Sequence, residues 1–206
     1  MITPVYWQDA CKHLTQQDPA LAGLIARFPA AQLRGGGDAF GTLVNSIVGQ
    51  QISVRAADAI RVRLAACVGE VTPSRVLDVP ISTLREIGLS MRKVAYLRDL
   101  AMHFQTGKID PMQLSDLSDE AVIEILTEVH GIGRWTAEMF LMFHLLRPNI
   151  LPLDDIGLQR AMMVHYGWEP PFSRGRLKDF SARWQPYCSV ATWLLWRSLD
   201  PVDVVY

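Results

Sequence analysis

The chain has 206 residues, 50% of them hydrophobic and 20% charged, with a formal net charge of −1. That length suits one globular module, or two small lobes sharing a core. The charge balance argues against a protein that wraps nucleic acid non-specifically, but it leaves room for a local basic face that neutralises a few phosphates.

Cys11, Cys67 and Cys188 are odd in number and widely spaced, which points away from a disulfide framework and from a zinc or iron–sulfur ligand set. Of the 20 basic residues only Lys12, Lys93, Lys108 and Lys178 are lysines; the rest are arginines, which suit planar, bidentate contacts. No signal-peptide pattern opens the chain and no apolar run is long enough to span a bilayer, so a cytoplasmic setting without a membrane partner is expected.

In chain order the pattern is helical almost throughout. Thr3-Pro4 reads as an N-cap and first helical residue, with Val5, Trp7, Cys11 and Leu14 inward, and Asp18-Pro19 repeats the device for Leu21 to Phe28. Gly35-Gly36-Gly37 reads as a flexible joint, with Asp38 capping the helix after it. Phe40, Leu43, Val44, Ile47 and Val48 then repeat at helical spacing until Gly49-Gln50-Gln51-Ile52-Ser53 breaks the pattern, and Ser53 caps the next helix. Short helices follow Thr72-Pro73 and Pro80. A longer one opens at Ser90 and ends at Gly107, and Ser118 begins another. No alternating apolar pattern argues for a sheet, and no period repeats.

The stretch Val129-His130-Gly131-Ile132-Gly133-Arg134-Trp135-Thr136-Ala137 joins two helices through a tight glycine turn. Glycines at 131 and 133 allow positive φ and a backbone reversal. The following helix starts at once, so its unpaired amides and positive dipole end point out of the turn, a corner that holds a phosphate without a charged side chain. A plain helix-to-helix turn is the alternative reading. Further on, Leu153-Asp154-Asp155-Ile156-Gly157-Leu158-Gln159-Arg160 places two carboxylates at a helix start, where either could serve only as an N-cap.

Taken together, the glycine hairpin and the Asp that follows Trp135 by 20 residues, with Leu158 and Arg160 after it, resemble the helix-hairpin-helix DNA glycosylase superfamily. The segments Phe40 to Ser53, Ile87 to Leu97 and Trp184 to Trp196 resemble its DNA-3-methyladenine glycosylase II branch, which excises alkylated bases. The resemblance implies an all-α fold of two helical lobes with a helix-hairpin-helix motif and the active-site cleft at their junction. By position this gives a single glycosylase module over 1–206, a first lobe over about 38–117, the hairpin over 118–147, and a second lobe from 1–37 with 148–206.

The resemblance also implies roles. Asp155 is the catalytic carboxylate, with Asp154 its capping neighbour. A cation develops on the sugar as the N-glycosidic bond breaks, and a fixed carboxylate stabilises it and directs water. Trp135, Met139, Trp196 and Tyr187 would line the base pocket, Met139 standing where the better-known bacterial form carries Tyr. Trp193 reads as core. DNA contacts fall on His130, Gly131, Gly133, Arg134 and Thr136, and on Gln50, Gln51 and Ser53. Gln51 occupies the place of the side chain pushed into the duplex; alternatively, Gln50 and Gln51 satisfy backbone groups in a turn.

Position 135 carries Trp where the strand-nicking branches carry a Schiff-base Lys, which implies a monofunctional enzyme that leaves an abasic site. No cofactor is required by the resemblance, although the family's hairpin often holds Na+ or K+ through main-chain carbonyls, here those of Thr127, Val129 and Ile132. The implied partner is double-stranded DNA containing damaged bases, bound by a monomer and associated with the nucleoid. Two other readings stay open at this point: a DNA-binding module without catalysis, and a glycosylase for deaminated or oxidised bases.

Overall fold

The computed structural model describes residues 2–199, except for the side chain of Val54; Met1 and the end of the expected second lobe, 200–206, lie outside the described residues. The helices in chain order are α1 (Trp7–Gln17), α2 (Pro19–Arg27), α3 (Ala39–Gly49), α4 (Val54–Val68), α5 (Pro73–Asp78), α6 (Ile81–Glu86), α7 (Met91–Gln105), α8 (Pro111–Leu114), α9 (Asp119–Thr127), α10 (Arg134–Phe143), α11 (Ile156–Tyr166), α12 (Arg174–Ser181) and α13 (Cys188–Leu199). A 3-10 turn, Ala182–Trp184, precedes α13. Among the described residues no strand forms, and extended backbone pairs only at a bridge between Ile2 and Gly35. No helix among them is long and apolar enough to cross a membrane.

Local chemistry sets most helix starts. Asp18, Asp38, Ser53, Thr72, Ser90 and Ser118 each accept a hydrogen bond from an amide two or three residues on, a cap that contributes about 1 kcal/mol apiece. Helix α6 starts behind Pro80 without a side-chain cap, and so does the first helix. It begins at Trp7 behind Tyr6, whose side chain makes no cap, and the Thr3 hydroxyl donates to Gln32 instead. Val5, expected inward, is fully exposed, while Trp7 and Leu14 are buried.

The chain divides into two compact units, one made of Gly37–Phe140 and the other of the chain before and after it, so that the division falls within α10. In the unit Gly37–Phe140, α7 packs against α3, α5 and α6, and α3 also packs on α4. Val94, Leu97, Leu100 and Ala101 line the inner stripe of α7 and Phe40, Leu43, Val44, Ile47 and Val48 that of α3. Each large aliphatic or aromatic side chain so buried contributes about 1.5–3 kcal/mol.

In the other unit α13 packs against α1, α2 and α11. Every residue of α13 from Cys188 to Trp196 is buried, as suits a helix that is apolar on all sides. Asp18 fastens this unit. Its Oδ1 accepts from the amides of Ala20 and Leu21, and its Oδ2 accepts from the Tyr166 hydroxyl at 2.9 Å and the Trp184 indole at 2.8 Å.

Gly35 does not behave as a loose joint. Its amide and carbonyl both pair with Ile2, and the Gly36 amide donates to the Phe143 carbonyl at 2.7 Å. A Cβ at position 35 would lie 2.0 Å from that carbonyl oxygen. Close backbone approach, rather than freedom, is what requires glycine here.

Candidate active site and nucleic-acid-binding hairpin

The hairpin lies within the unit Gly37–Phe140. Helix α9 carries Asp119 and Glu120 in its first turn, favourable to its dipole, and ends at Thr127, whose hydroxyl donates back to the carbonyls of Ile123 and Glu124. The turn closes with the Ile132 amide on the Val129 carbonyl at 3.0 Å. Of the two glycines only Gly131 takes a positive φ, +88°, and a Cβ there would sit 2.1 Å from the Tyr96 ring. Gly133 has an ordinary φ and open space about its Cα. Neither glycine amide donates to an acceptor among the described residues. The corner therefore offers two backbone donors ahead of the ten-residue helix α10.

Three side chains hold this corner, and two of them, Asp99 and Tyr96, the sequence reading did not single out. The Asp99 carboxylate, reaching over from α7, accepts from the His130 amide at 2.8 Å and from its ring Nδ1 at 2.7 Å. Burial pushes the Asp99 carboxyl up, but the two His130 hydrogen bonds and the nearby His103 outweigh it and hold it below the ordinary range. Tyr96 covers Gly131. Gln50, expected either at the DNA or satisfying backbone groups in a turn, donates its side-chain amide to the Gly131 carbonyl at 2.8 Å, tying the Gly49–Ser53 loop to the hairpin. Asp99 and Tyr96 gave no signal because an outward Asp and Tyr on a helix look like ordinary surface residues until the fold sets a neighbour against them.

The same loop keeps Gln51 exposed at a positive φ of +58°, uncommon and strained for a residue with a side chain. The Arg92 guanidinium donates to its Oε1 at 3.3 Å. Lys93 donates to the Val48 carbonyl at 2.7 Å, and Ser53 caps α4 as expected.

Other DNA-contact expectations are altered by the geometry. Arg134 is held by Glu120 through two hydrogen bonds and by Glu138 at 3.1 Å, so its guanidinium is matched by two carboxylates. The Arg134 hydrogen bonds hold Glu120 below the usual carboxylate range. The Thr136 side chain is buried, which corrects its expected place on a DNA-facing surface. His130 remains largely exposed above its bond to Asp99. The carbonyls of Thr127, Val129 and Ile132 run from the end of α9 through the turn, and that of Val129 accepts the Ile132 amide. Among the described residues no cluster of three or more His, Cys, Asp or Glu could hold a metal ion.

Trp135, 39% exposed, and the buried Met139 follow one another at i, i+4 on α10, one face of the helix.

Asp155 sits in the other unit. It, rather than Asp154, caps α11, accepting the Leu158 amide on Oδ1. Asp154 is exposed and pairs with Arg174 at 3.3 Å. The expected division of labour between the two is thus corrected: Asp155 is both the cap and the buried carboxylate, 8% exposed. The Trp196 indole donates to the same Oδ1 at 2.7 Å, and Phe143 stacks parallel to that indole with ring centroids 6.3 Å apart. Tyr187 is placed elsewhere. It precedes α13, about 13 Å along the axis from Trp196, and packs against Tyr6 and His13. Trp193 is fully buried edge-on to Trp7.

Comparison with known proteins follows the same lines. The family model described as "HhH-GPD superfamily base excision DNA repair protein" matches residues 44–186. A Bacillus subtilis relative is 31% identical over 169 residues, 78% of this chain; the match spans 59% of that relative's length. The crystal structure of a DNA-3-methyladenine glycosidase from Bacillus halodurans is similar with a TM-score of 0.84 and 36% identity, over 98% of this chain and 94% of that one. A Schizosaccharomyces pombe 3-methyladenine DNA glycosylase in complex with abasic DNA is similar with a TM-score of 0.83 and 27% identity, over 96% of this chain and all of that one. The chain belongs to the HhH-GPD superfamily of base excision DNA repair proteins.

Proposed function

We propose that the chain is a monofunctional DNA N-glycosylase of base excision repair, acting on alkylated purines of the 3-methyladenine and 7-methylguanine type in double-stranded DNA. The observation that carries this reading is the Asp155 carboxylate, fixed at the head of α11 by the Leu158 amide and the Trp196 indole. An alkylated purine already carries positive charge and leaves without being protonated. The enzyme's task is then to extrude the nucleotide and stabilise the cation left on the sugar. A carboxylate whose direction is set before the substrate arrives does this without reorganising during the reaction.

The amides of Gly131 and Gly133 take a DNA phosphate, and Gln51 enters the gap left by the extruded base. Trp135 and Met139 present an aromatic and a soft apolar surface to the base, attractive to a cationic ring. No amine stands at position 135 to attack the sugar, which supports hydrolysis over strand cleavage. The main-chain carbonyls of Thr127, Val129 and Ile132 hold a monovalent cation that fixes the turn. The protein acts as a monomer in the cytoplasm, on the chromosome. The relative solved with abasic DNA supports the class of product.

The deciding experiment is Asp155→Asn, assayed by single-turnover excision from a duplex with one 7-methylguanine and by binding to a duplex with one abasic-site analogue. Loss of excision with binding retained is the expected result. Retained excision by a folded variant rejects the role given to Asp155. Excision from hypoxanthine or 8-oxoguanine duplexes, with none from the alkylated one, rejects the substrate class.

A further inference from the structure

The Trp196 indole reaches Asp155 through a space that a side chain at position 157 would occupy. A Cβ built on Gly157 would lie 3.0 Å from both Cδ1 and Nε1 of Trp196 and 3.1 Å from Oδ1 of Asp155. Those are the donor and acceptor of the 2.7 Å hydrogen bond. Contacts at that distance are closer than a packed carbon normally tolerates, and all three groups are buried or hemmed in: Asp155 and Trp196 are 8% and 7% exposed, and Phe143 stacks on the indole. Gly157 also has an ordinary helical φ in the first turn of α11, so its backbone does not need glycine. Glycine in a helix is unfavourable relative to alanine. The missing side chain at this position leaves room for the indole edge and the carboxylate oxygen that it meets.

We propose that Gly157 and Trp196 are positioning residues that set the orientation of the Asp155 carboxylate, and that Trp196 serves the reaction through this hydrogen bond rather than as a wall for the base. The proposal deepens the reading of Asp155 as the catalytic carboxylate and rests on it. Helix α11 supplies one donor to Oδ1, the Leu158 amide, and α13 supplies another, the indole, so both helices help to fix this carboxylate oxygen. Gly157 is what lets α13's donor arrive. An alanine would displace the indole or turn the carboxylate, and the carboxylate would lose one of its charge-assisted hydrogen bonds.

The test uses the whole chain with Gly157→Ala, Trp196→Phe and the double variant. It measures thermal midpoint, affinity for a duplex with one abasic-site analogue, and single-turnover excision from a duplex with one 7-methylguanine. The expected result is excision slowed about tenfold or more in each single variant, the loss that goes with one hydrogen bond to a charged group. The double variant should be no slower than the worse single, because both remove the same contact. Gly157→Ala should remain folded with only a modest fall in thermal midpoint, since the helix preference of alanine partly offsets the crowding, and its abasic-DNA affinity should stay within about twofold, a free-energy change well under that of one hydrogen bond. Wild-type excision by Gly157→Ala, or multiplicative losses in the double variant, overturns the proposal. So does a loss that disappears once rates are corrected for the fraction of folded protein at the assay temperature, which marks a structural role. Asp155→Asn separates the two levels: if it remains active, the parent reading fails, and if it is inactive while Gly157→Ala and Trp196→Phe excise normally, only the positioning proposal fails.

Discussion

The Asp99 carboxylate accepts both the backbone amide and the ring Nδ1 of His130, at 2.8 and 2.7 Å, and so fixes the hairpin turn from a helix 31 residues earlier in the chain. One side chain thereby sets the conformation of a residue next to Gly131, whose amide is a proposed phosphate donor.

This pair carries a pH dependence whose sign follows from the depressed Asp99 carboxyl. A carboxyl held below its unfolded value, about 3.9, contributes stability that is fully present above that pH and is lost as pH falls through the folded value. Asp99→Asn is therefore less stable than the wild type at pH 7, and the difference narrows as the pH drops below about 4. Urea midpoints of both proteins at pH 7, 5 and 3 check this; an unchanged difference at pH 3 contradicts it.

The two hairpin glycines separate in the same way. Alanine at 131 meets a positive φ and the Tyr96 ring, a combined penalty of about 2–4 kcal/mol, with DNA affinity falling alongside stability. Alanine at 133 meets open space, so folding stays within about 0.5 kcal/mol. Its methyl group instead obstructs the approach of a phosphate, and abasic-DNA affinity drops about tenfold, the order of one charge-assisted hydrogen bond. Chemical denaturation and fluorescence anisotropy on the two variants distinguish the positions; equal effects on stability refute the assignment.

Gln51 is strained in the folded state and has its proposed use only in the DNA complex. Gln51→Gly relieves the positive φ, an L-residue penalty of about 1–2 kcal/mol that glycine's larger unfolded-state entropy partly offsets. Stability is thus retained or raised by up to about 1 kcal/mol, while excision from duplex DNA slows. The same variant acting at the wild-type rate on a fully paired duplex removes Gln51 from the wedge role.

Asp18 is a purely structural carboxylate. Asp18→Ala strips the α2 cap and leaves the Tyr166 hydroxyl and Trp184 indole without their acceptor. The loss is about 3–5 kcal/mol, summing a cap and two unsatisfied buried donors. Guanidinium denaturation measures it, and a loss below about 1 kcal/mol, a single cap's worth, contradicts the network.

By itself the sequence determined the all-helical class, nearly every helix start and the glycine hairpin, because these depend on neighbours within a few residues, and its resemblance over several segments pointed to the family. Caps, apolar periodicity and tight turns act at a range of three or four positions along the chain, so residues such as Ser118 and Gly131 can be read in order. The tertiary structure alone decided which groups meet across long separations. It set Asp99 on His130, Gln50 on the Gly131 carbonyl, and Trp196 on Asp155 through the room left at Gly157; it also showed Thr136 buried and moved Tyr187 to the company of Tyr6 and His13. Such contacts come from how helices pack, and packing joins residues tens of positions apart with no trace in local spacing.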